Sequence, residues 1–348
     1  MKKLINKSKS ILLIYLTCCI TLLFPTTTSA EELLGAGATF PFPLYAKMFD
    51  HYAKEFKVKV NYQAIGSGGG IRQLKNKTVN FGASDAYIND KDLKKMNGNV
   101  VHVPICLGAV SLSFNLPGIK EIKLTPEIIE GIFLGKIRKW NDKKITALNP
   151  KVKLPKLPVM VVHRSDGSGT TFIFTDYLAK ISPKWAKKIG RGKAVKWVVG
   201  MGGKGNAGVA GLIKQIPGSI GYIEMVYALQ NNMPVAVVQN KAGNFIKPSI
   251  EATTFAAATT IPEDTRVSIT NTDAKYGYPI SGFTWVLVYA DMEINNKSRD
   301  KALAVKNLLK WMVTKGQGFA QPLGYAPLPK NVVKKAKKQI KKIKFNNK

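Results

Sequence analysis

A strand-like run, a loop of small residues and a helix-like run follow one another three times in this chain. This repeated order constrains the fold more than any other feature, because alternating strands and helices predict an α/β architecture. In open α/β sheets, the loops at the strand ends gather and bind ligands. The three loops and the helical runs that follow them are Gly35–Pro43 before Leu44–Phe56, Gly66–Gly70 before a helix predicted from Ile71, and His163–Thr171 before Phe172–Leu178.

Two long apolar runs predict strands that lie far apart in the sequence. They are Val100–Asn115 and Phe283–Tyr289, and both are rich in β-branched and aromatic residues. Shorter strands are predicted at Val58–Tyr62, Asn80–Asp85 and Val159–Val162. The two long strands are suited to connect two lobes.

The loop at His163–Thr171 carries the residue types of an anion site. Gly167 and Gly169 allow the backbone to approach a ligand closely. The hydroxyls that follow, on Ser168, Thr170 and Thr171, are predicted at a helix N-terminus, where free N–H groups favour an anion. Arg164 offers a fork of donors suited to a tetrahedral oxyanion, and Asp166 is near enough to hold that fork. A capped strand–helix turn without a ligand is the alternative interpretation.

Asp85 is the unusual member of this set, because a carboxylate repels an anion. Its presence makes sense if the ligand brings a proton to donate, which phosphate does near neutral pH and sulfate does not. A buried site that leaves polar groups unpaired rejects the wrong ligand strongly, so Asp85 favours phosphate over sulfate. The alternative is that Asp85 serves as a turn residue or helix cap.

Five ordered motifs resemble the periplasmic phosphate-binding proteins of high-affinity phosphate ABC transporters. The resemblance runs from about Leu33 to Val333. The motifs are Gly35–Pro43, Ile65–Gly70, Phe81–Asp85, Arg164–Thr170 and Gly218–Tyr222. The resemblance implies an α/β, two-lobed, type II-like periplasmic-binding-protein fold, with the ligand in the interlobe cleft and a two-strand hinge. We expect a first lobe from 31–112 and 281–348, the latter with a basic C-terminal helix, and a second lobe from 113–280.

The resemblance also implies a ligand set. Asp85 accepts the ligand proton, Arg164 forms the salt link to phosphate, and Asp166 orients Arg164 from behind. The implied phosphate-binding residues are Ala38, Thr39, Phe40, Ser67, Asp85, Arg164, Ser168, Gly169 and Thr170. It implies no metal, no cofactor and no enzymatic activity, but a monomer that delivers inorganic phosphate to the membrane permease subunits of an ABC transporter. One departure is Gly68, which stands where the family often has a second serine.

The first 30 residues have the pattern of a secretory signal. Four lysines precede an apolar run at Ile11–Phe24, and small residues end at Ala30. We expect cleavage after Ala30 and a periplasmic location. Cys18 and Cys19 raise the alternative of lipid attachment, although the residues before them match such a site poorly. Cleavage leaves Cys106 as the only cysteine, which excludes an intrachain disulfide and suits a small buried apolar residue.

The formal net charge of the full chain is +32. Nine of the lysines lie in Lys330–Lys348, where Val333, Ala336, Ile340 and Ile343 recur at helical spacing. We expect a terminal helix docked on the core with solvated lysines; adhesion to an anionic surface is the alternative. No nucleic-acid-binding motif accompanies the charge, so no nucleic-acid partner is expected. A surface protein that binds acidic polymers, and a general oxyanion receptor, remain alternative functions.

The sequence has one run that fits a motif of nucleotide-binding proteins, and it lacks common motifs of enzymes. The run Gly203–Gly208 fits G-x-G-x-x-G, but a lone match is weak and we do not expect a dinucleotide site. No P-loop and no G-x-S-x-G run occurs in the sequence. The three histidines are His51, His102 and His163, which are far apart, and His163 is interpreted as a packing residue. An exported phosphatase is the enzymatic alternative, but the sequence offers no activated nucleophile.

Overall fold

The computed structural model describes residues 31–96, 98–295 and 297–345; the predicted signal segment at 1–30 lies outside them. Within the described residues, eight strands form one mixed sheet in the order β2-β1-β3-β11-β4-β8-β6-β7, and three short strands form a second sheet, β10-β9-β5. The strands are β1 (Glu31–Gly37), β2 (Val58–Gln63), β3 (Phe81–Ser84), β4 (Val100–Phe114), β5 (Lys123–Leu124), β6 (Met160–Arg164), β7 (Met201–Gly203), β8 (Ser219–Glu224), β9 (Val237–Gln239), β10 (Phe245–Ile246) and β11 (Ser281–Tyr289).

Helices cover the large sheet. Most begin at a residue whose side chain accepts a hydrogen bond from the first turn, as the hydroxyl of Ser168 does from the Thr171 N–H. The helices are α1 (Phe42–Phe56), α2 (Ser67–Lys75), α3 (Asp90–Leu93), α4 (Pro126–Phe133), α5 (Lys143–Leu148), α6 (Gly169–Ile181), α7 (Pro183–Lys188), α8 (Gly205–Gln215), α9 (Met225–Gln230), α10 (Ile250–Ala256), α11 (Arg299–Met312) and α12 (Lys330–Lys341).

Strand β4 belongs to both halves of the large sheet. Its first part, up to Ala109, pairs antiparallel with β11, and its last part, from Val110, pairs antiparallel with β8. The returning chain lies beside this point, because the Val110 N–H donates to the carbonyl of Ile280 at 2.8 Å. The two predicted long strands are thus confirmed as β4 and β11. We propose that the first lobe, with β1, β2, β3 and β11, and the second lobe, with β6, β7 and β8, divide at the expected boundaries 112/113 and 280/281.

The strand directions bring the small-residue loops together. β1 runs parallel to β2 and β3, and β6 runs parallel to β7 and β8, so the loops after β1, β3, β6 and β7 leave the sheet at their carboxyl ends. The two groups run in opposite directions, because the pairs β3–β11, β11–β4 and β4–β8 are all antiparallel. β4 passes from the first half of the sheet into the second, so the carboxyl ends of both groups point toward the junction between the halves. β1, β3, β6 and both long strands β4 and β11 are largely buried, which fixes their register, whereas in β7 only Gly203 is buried. The loops therefore rest on a rigid base.

The predicted C-terminal helix is confirmed as α12. Its apolar side chains Ala336 and Ile340 are buried against the core, as is Ile343 just beyond it. Lys334, Lys337 and Lys341 are exposed, while Lys335 and Lys338 contact Glu263. Among the described residues, no helix is both long and apolar enough to cross a membrane. The structure therefore matches the docked-helix interpretation of the tail.

Candidate functional site

The loop after β1 forms one wall of the cleft between the lobes. Three tyrosine hydroxyls hold its carbonyls: Tyr62 donates to Ala38 O at 2.8 Å, Tyr227 to Thr39 O at 2.6 Å and Tyr325 to Phe40 O at 2.7 Å. The Ala38 N–H donates to Ala83 O at 2.9 Å. The N–H groups of Thr39 and Phe40 have no protein acceptor within the described part of the chain, so they are the donors that this loop can offer to a ligand.

Asp85 lies at the end of β3 and is 2% exposed. The hydroxyl of Thr284 donates to its Oδ1 at 2.6 Å, and Ser67 Oγ lies 3.4 Å from its Oδ2. Burial raises the pKa of Asp85 to about 7, although the hydrogen bond from Thr284 and the charge of Arg164 oppose the rise. Asp85 therefore stands between carboxylate and carboxyl near neutral pH. We call Ala38–Phe40, Ser67 and Asp85 the first-lobe wall.

Arg164 ends β6 on the opposite lobe, and its side chain is 1% exposed. Asp166 holds the guanidinium through two bonds, from Nε to Oδ1 at 2.7 Å and from Nη2 to Oδ2 at 2.5 Å. Burial favours the neutral acid at Asp166, but the bonds from Arg164 and from the Gly205 N–H outweigh it and lower the pKa of this carboxyl. Nη1 is therefore the one guanidinium nitrogen of Arg164 that does not bond to Asp166. Asp166 holds the guanidinium, as the sequence predicted.

The predicted donors Ser168, Gly169 and Thr170 lie at the start of α6, next to Arg164. The Ser168 hydroxyl caps α6 by accepting the Thr171 N–H, and the backbone N–H of Ser168 donates to Lys193 O at 2.8 Å. A Cβ on Gly169 would lie 2.5 Å from both Asp85 Oδ2 and Ser67 Oγ, so only glycine fits at this close approach of the two lobes. We call Arg164–Thr170 with Gly205 and Asn206 the second-lobe wall.

The two walls meet in a closed arrangement. The Gly68 N–H donates to Gly167 O at 2.7 Å across the cleft, and Tyr227 of the second lobe reaches Thr39 O of the first. A groove of about 580 Å³ runs along the outside of the cleft, lined in part by Phe42, Ile65 and Tyr227. Asp166 and Thr39 line the same groove, whereas the side chain of Arg164 is buried.

Thr284, Gly205 and Asn206 contribute to the site but were not predicted from the sequence. Thr284 positions Asp85, and a threonine inside the largely apolar run Phe283–Tyr289 was the available signal. Asn206 is fully buried and its amide donates to both Thr39 and Thr170. Asn206 belongs to the Gly203–Gly208 run, so a loop that we considered only as a nucleotide motif lies in the cleft.

The histidines and the cysteine lie outside this constellation. His163 stacks on Trp197 with ring centroids 4.9 Å apart, which matches the packing role, and His102 accepts the Ile88 N–H while burial lowers its pKa to about 3. Cys106 is buried, as predicted. In the portion of the chain that the structure covers, no group of three or more His, Cys, Asp or Glu residues is arranged to hold a metal ion.

This fold and its buried interlobe site define a two-lobed binding protein. A phosphate-bound putative phosphate ABC transporter substrate-binding protein from Clostridium perfringens superposes with a TM-score of 0.63, at 17% identity, over 86% of this chain and 100% of that one. The phosphate-bound high-affinity periplasmic protein PfluDING superposes with a TM-score of 0.69, at 20% identity, over 87% of this chain and 92% of that one. At these identities the likeness shows the fold, and it confirms the predicted fold class.

Sequence comparison identifies the family more closely. Residues 24–315 match the model of the PBP superfamily domain. The chain is 44% identical over 320 residues to the phosphate-binding protein PstS of Haemophilus influenzae, covering 90% of this chain and 93% of that protein. It is 37% identical over 322 residues to the PstS of Methanocaldococcus jannaschii, covering 86% and 82%. The chain therefore belongs to the PstS family of solute receptors within the PBP superfamily, as the motifs indicated.

Proposed function

We propose that this protein captures inorganic phosphate and delivers it to an ABC-type phosphate importer. The observation that carries the proposal is the pairing, across one buried cleft, of the cation Arg164 with the proton acceptor Asp85. A ligand held between them must be an anion that can also donate a hydrogen bond. Monohydrogen phosphate has both properties, whereas sulfate lacks the proton. The names of the PstS relatives support the same ligand.

The proposed contacts follow from the free donors of the two walls. On the first-lobe wall they are the N–H groups of Thr39 and Phe40 and the hydroxyls of Thr39 and Ser67, while Asp85 accepts the ligand proton. On the second-lobe wall they are Arg164 and the first turn of α6, with Asp166 behind. Hydrogen bonds to a charged group contribute about 1.5–3 kcal/mol each, so several suffice for micromolar or tighter binding after the cost of association. The proposed set is Thr39, Phe40, Ser67, Asp85, Arg164, Ser168, Gly169 and Thr170, together with Ala38, which belongs to the loop but whose N–H is bonded to Ala83 O.

The proposal includes the setting in which the protein works. We propose export to the periplasm by a cleavable signal at 1–30, and action as a monomer with the permease subunits as its partners. We propose that the protein acts as a receptor rather than as an enzyme, which the names of the PstS relatives as phosphate-binding proteins support. A nucleic-acid partner is not part of this function. The exposed lysines of α12 keep binding of acidic polymers as the second candidate.

Calorimetric titration of the protein from Glu31, first stripped of ligand, tests the proposal. The titrants are phosphate and, separately, sulfate at pH 8. We expect tight one-to-one binding of phosphate and no response to sulfate. Equal binding of both anions would replace the proposal with a general oxyanion receptor. Binding of neither, together with salt-dependent binding of a polyanion, would favour the polymer-binding alternative.

A further inference from the structure

Asn206 occupies a fixed orientation at the start of α8, just after the turn that bonds Gly205 to Asp166. Its Oδ1 lies 3.0 Å from the backbone nitrogen of Glu224. A backbone N–H can only donate, so the atom that faces it must be the amide oxygen. The NH₂ group of Asn206 therefore points into the cleft. The side chain is fully buried, which makes this orientation costly to change.

The NH₂ group contacts both lobes at once. Nδ2 lies 3.0 Å from Thr39 Oγ1 of the first-lobe wall and 3.3 Å from Thr170 Oγ1 of the second-lobe wall. The backbone nitrogen of Asn206 adds a third bond, at 3.3 Å to Thr39 Oγ1. One residue thus links two hydroxyls that the proposed function assigns to the ligand.

A count of donors and acceptors shows what these bonds do to the hydroxyls. A threonine hydroxyl has two acceptor lone pairs and one hydrogen. The Thr39 oxygen receives two donors from Asn206, and the Thr170 oxygen receives Asn206 Nδ2 and Arg164 Nη1, the latter at 3.2 Å. Both oxygens are saturated as acceptors. The hydrogens of both hydroxyls are left to be donated, and a ligand in the cleft is the acceptor within reach.

We propose that Asn206 is a positioning residue for oxyanion specificity: it fixes the hydroxyls of Thr39 and Thr170 as donors and links the two walls when the cleft is closed. The inference rests on the proposed function, because it assigns these donors to phosphate. It also gives the Gly203–Gly208 loop a role in the cleft. The residue acts through the threonines and through lobe closure rather than by direct contact with the ligand.

The variant Asn206→Asp isolates the donor. It keeps the size of the side chain and an oxygen for the Glu224 N–H, but it turns the group facing the threonines from donor to acceptor. Their hydrogens then turn toward the new carboxylate and away from the ligand. Two charged-ligand hydrogen bonds are affected, so we expect phosphate affinity to fall by about 100-fold or more relative to wild type at pH 8.5. At pH 5.5, where a buried carboxyl is protonated and can donate again, the ratio to wild type is expected to shrink to about tenfold.

Asn115→Asp serves as the matched control. Asn115, which follows β4, also donates its amide to two acceptors, the carbonyls of Ile213 and Lys214. These carbonyls lie near the last turn of α8, whereas Asn206 lies in its first turn. We expect its phosphate affinity to stay within about twofold of wild type. Wild-type affinity in Asn206→Asp, or a loss that is the same at both pH values, would overturn the inference while leaving the proposed function intact. Failure of the wild type to bind phosphate would instead refute the proposed function.

Discussion

Each wall of the cleft holds one carboxyl group, buried in Asp85 and partly buried in Asp166, and the two groups behave in opposite ways. Asp85 of the first-lobe wall is held by the hydroxyls of Thr284 and Ser67, and burial raises its pKa to about 7. In Asp166 of the second-lobe wall, the bond to Arg164 overcomes the effect of burial and lowers the pKa. One aspartate, Asp85, is therefore available to accept a ligand proton, whereas the other, Asp166, is bound to a cation.

Because of this difference, the two walls contribute differently to the recognition of the anion. The second-lobe wall supplies charge, through a guanidinium that Asp166 holds and partly neutralises. The first-lobe wall supplies Asp85 as a hydrogen-bond acceptor, which favours an anion that carries a proton. Substitutions in the first-lobe wall should therefore change selectivity, and substitutions in the second-lobe wall should change affinity.

The largest effect is expected at Arg164, the only cation of the second-lobe wall. Arg164→Ala removes the charge and leaves Asp166 facing the ligand as an unpaired carboxylate. Breaking a buried ion pair costs about 3–5 kcal/mol, so phosphate affinity should fall by about 1,000-fold in a calorimetric titration. The double variant Arg164→Ala/Asp166→Ala removes the repulsion and should bind about tenfold more tightly than the single variant. If the two bind equally, Asp166 does not oppose the ligand.

An effect on stability is expected at Asp85. A carboxyl group whose pKa rises on folding contributes stability that is present below its unfolded pKa and lost as pH rises through its folded pKa. Between about pH 4 and pH 7, ligand-free wild type should therefore lose stability that Asp85→Asn keeps. A rise from 3.8 to about 7 corresponds to roughly 4 kcal/mol in favour of the variant at pH 8.

Urea unfolding in phosphate-free buffers from pH 4 to pH 8 measures this difference directly. The two proteins should have similar free energies of unfolding at pH 4 and diverge as the pH increases. Curves that stay parallel would show that Asp85 titrates normally. In that case the contrast between the two carboxyl groups would not hold.

The smallest effect is expected where the walls touch. A Cβ on Gly68 would lie 3.1 Å from Gly167 Cα and 3.2 Å from its carbonyl oxygen, so Gly68→Ala should hold the lobes slightly apart. Overpacking of this kind costs about 1–3 kcal/mol, and we expect about a tenfold loss of phosphate affinity with little change in stability. Gly211→Ala is the control, since a Cβ there meets nothing within 4 Å. Equal affinities for the two variants would mean that this contact is absent from the bound state.

Much of the fold could be predicted from the sequence, because the hydrophobic pattern of the strands and helices is local. The prediction that α2 begins at Ile71 was wrong, since the helix begins at Ser67. Glycine has low helix propensity, which hid the first turn. The structure gives the reason for these glycines: a Cβ on Gly70 would lie 2.5 Å from the Ala36 carbonyl oxygen and from Gly37 Cα. That close packing depends on residues distant in the sequence.

The contacts of the site also differ in whether the sequence could predict them. Arg164 and Asp166 are two residues apart, so their pairing could be predicted from spacing, and the structure confirms it. Thr284 contacts Asp85 from 199 positions away, and Asn206 contacts Thr39 from 167 positions away. No local pattern indicates such partners. A lone polar residue in an apolar strand and a glycine-rich loop before a helix were the available signals, and the sequence alone could not assign either to the cleft.

Sulfate titration of Asp85→Asn shows whether the first-lobe wall selects the anion by its proton. In this variant the carboxylate is replaced by an amide of the same shape, which can donate to an oxyanion that has no proton. At pH 8, we predict that sulfate binding becomes measurable by calorimetry while phosphate binding weakens much less than the selectivity does. An unchanged preference for phosphate over sulfate in the variant would contradict the account.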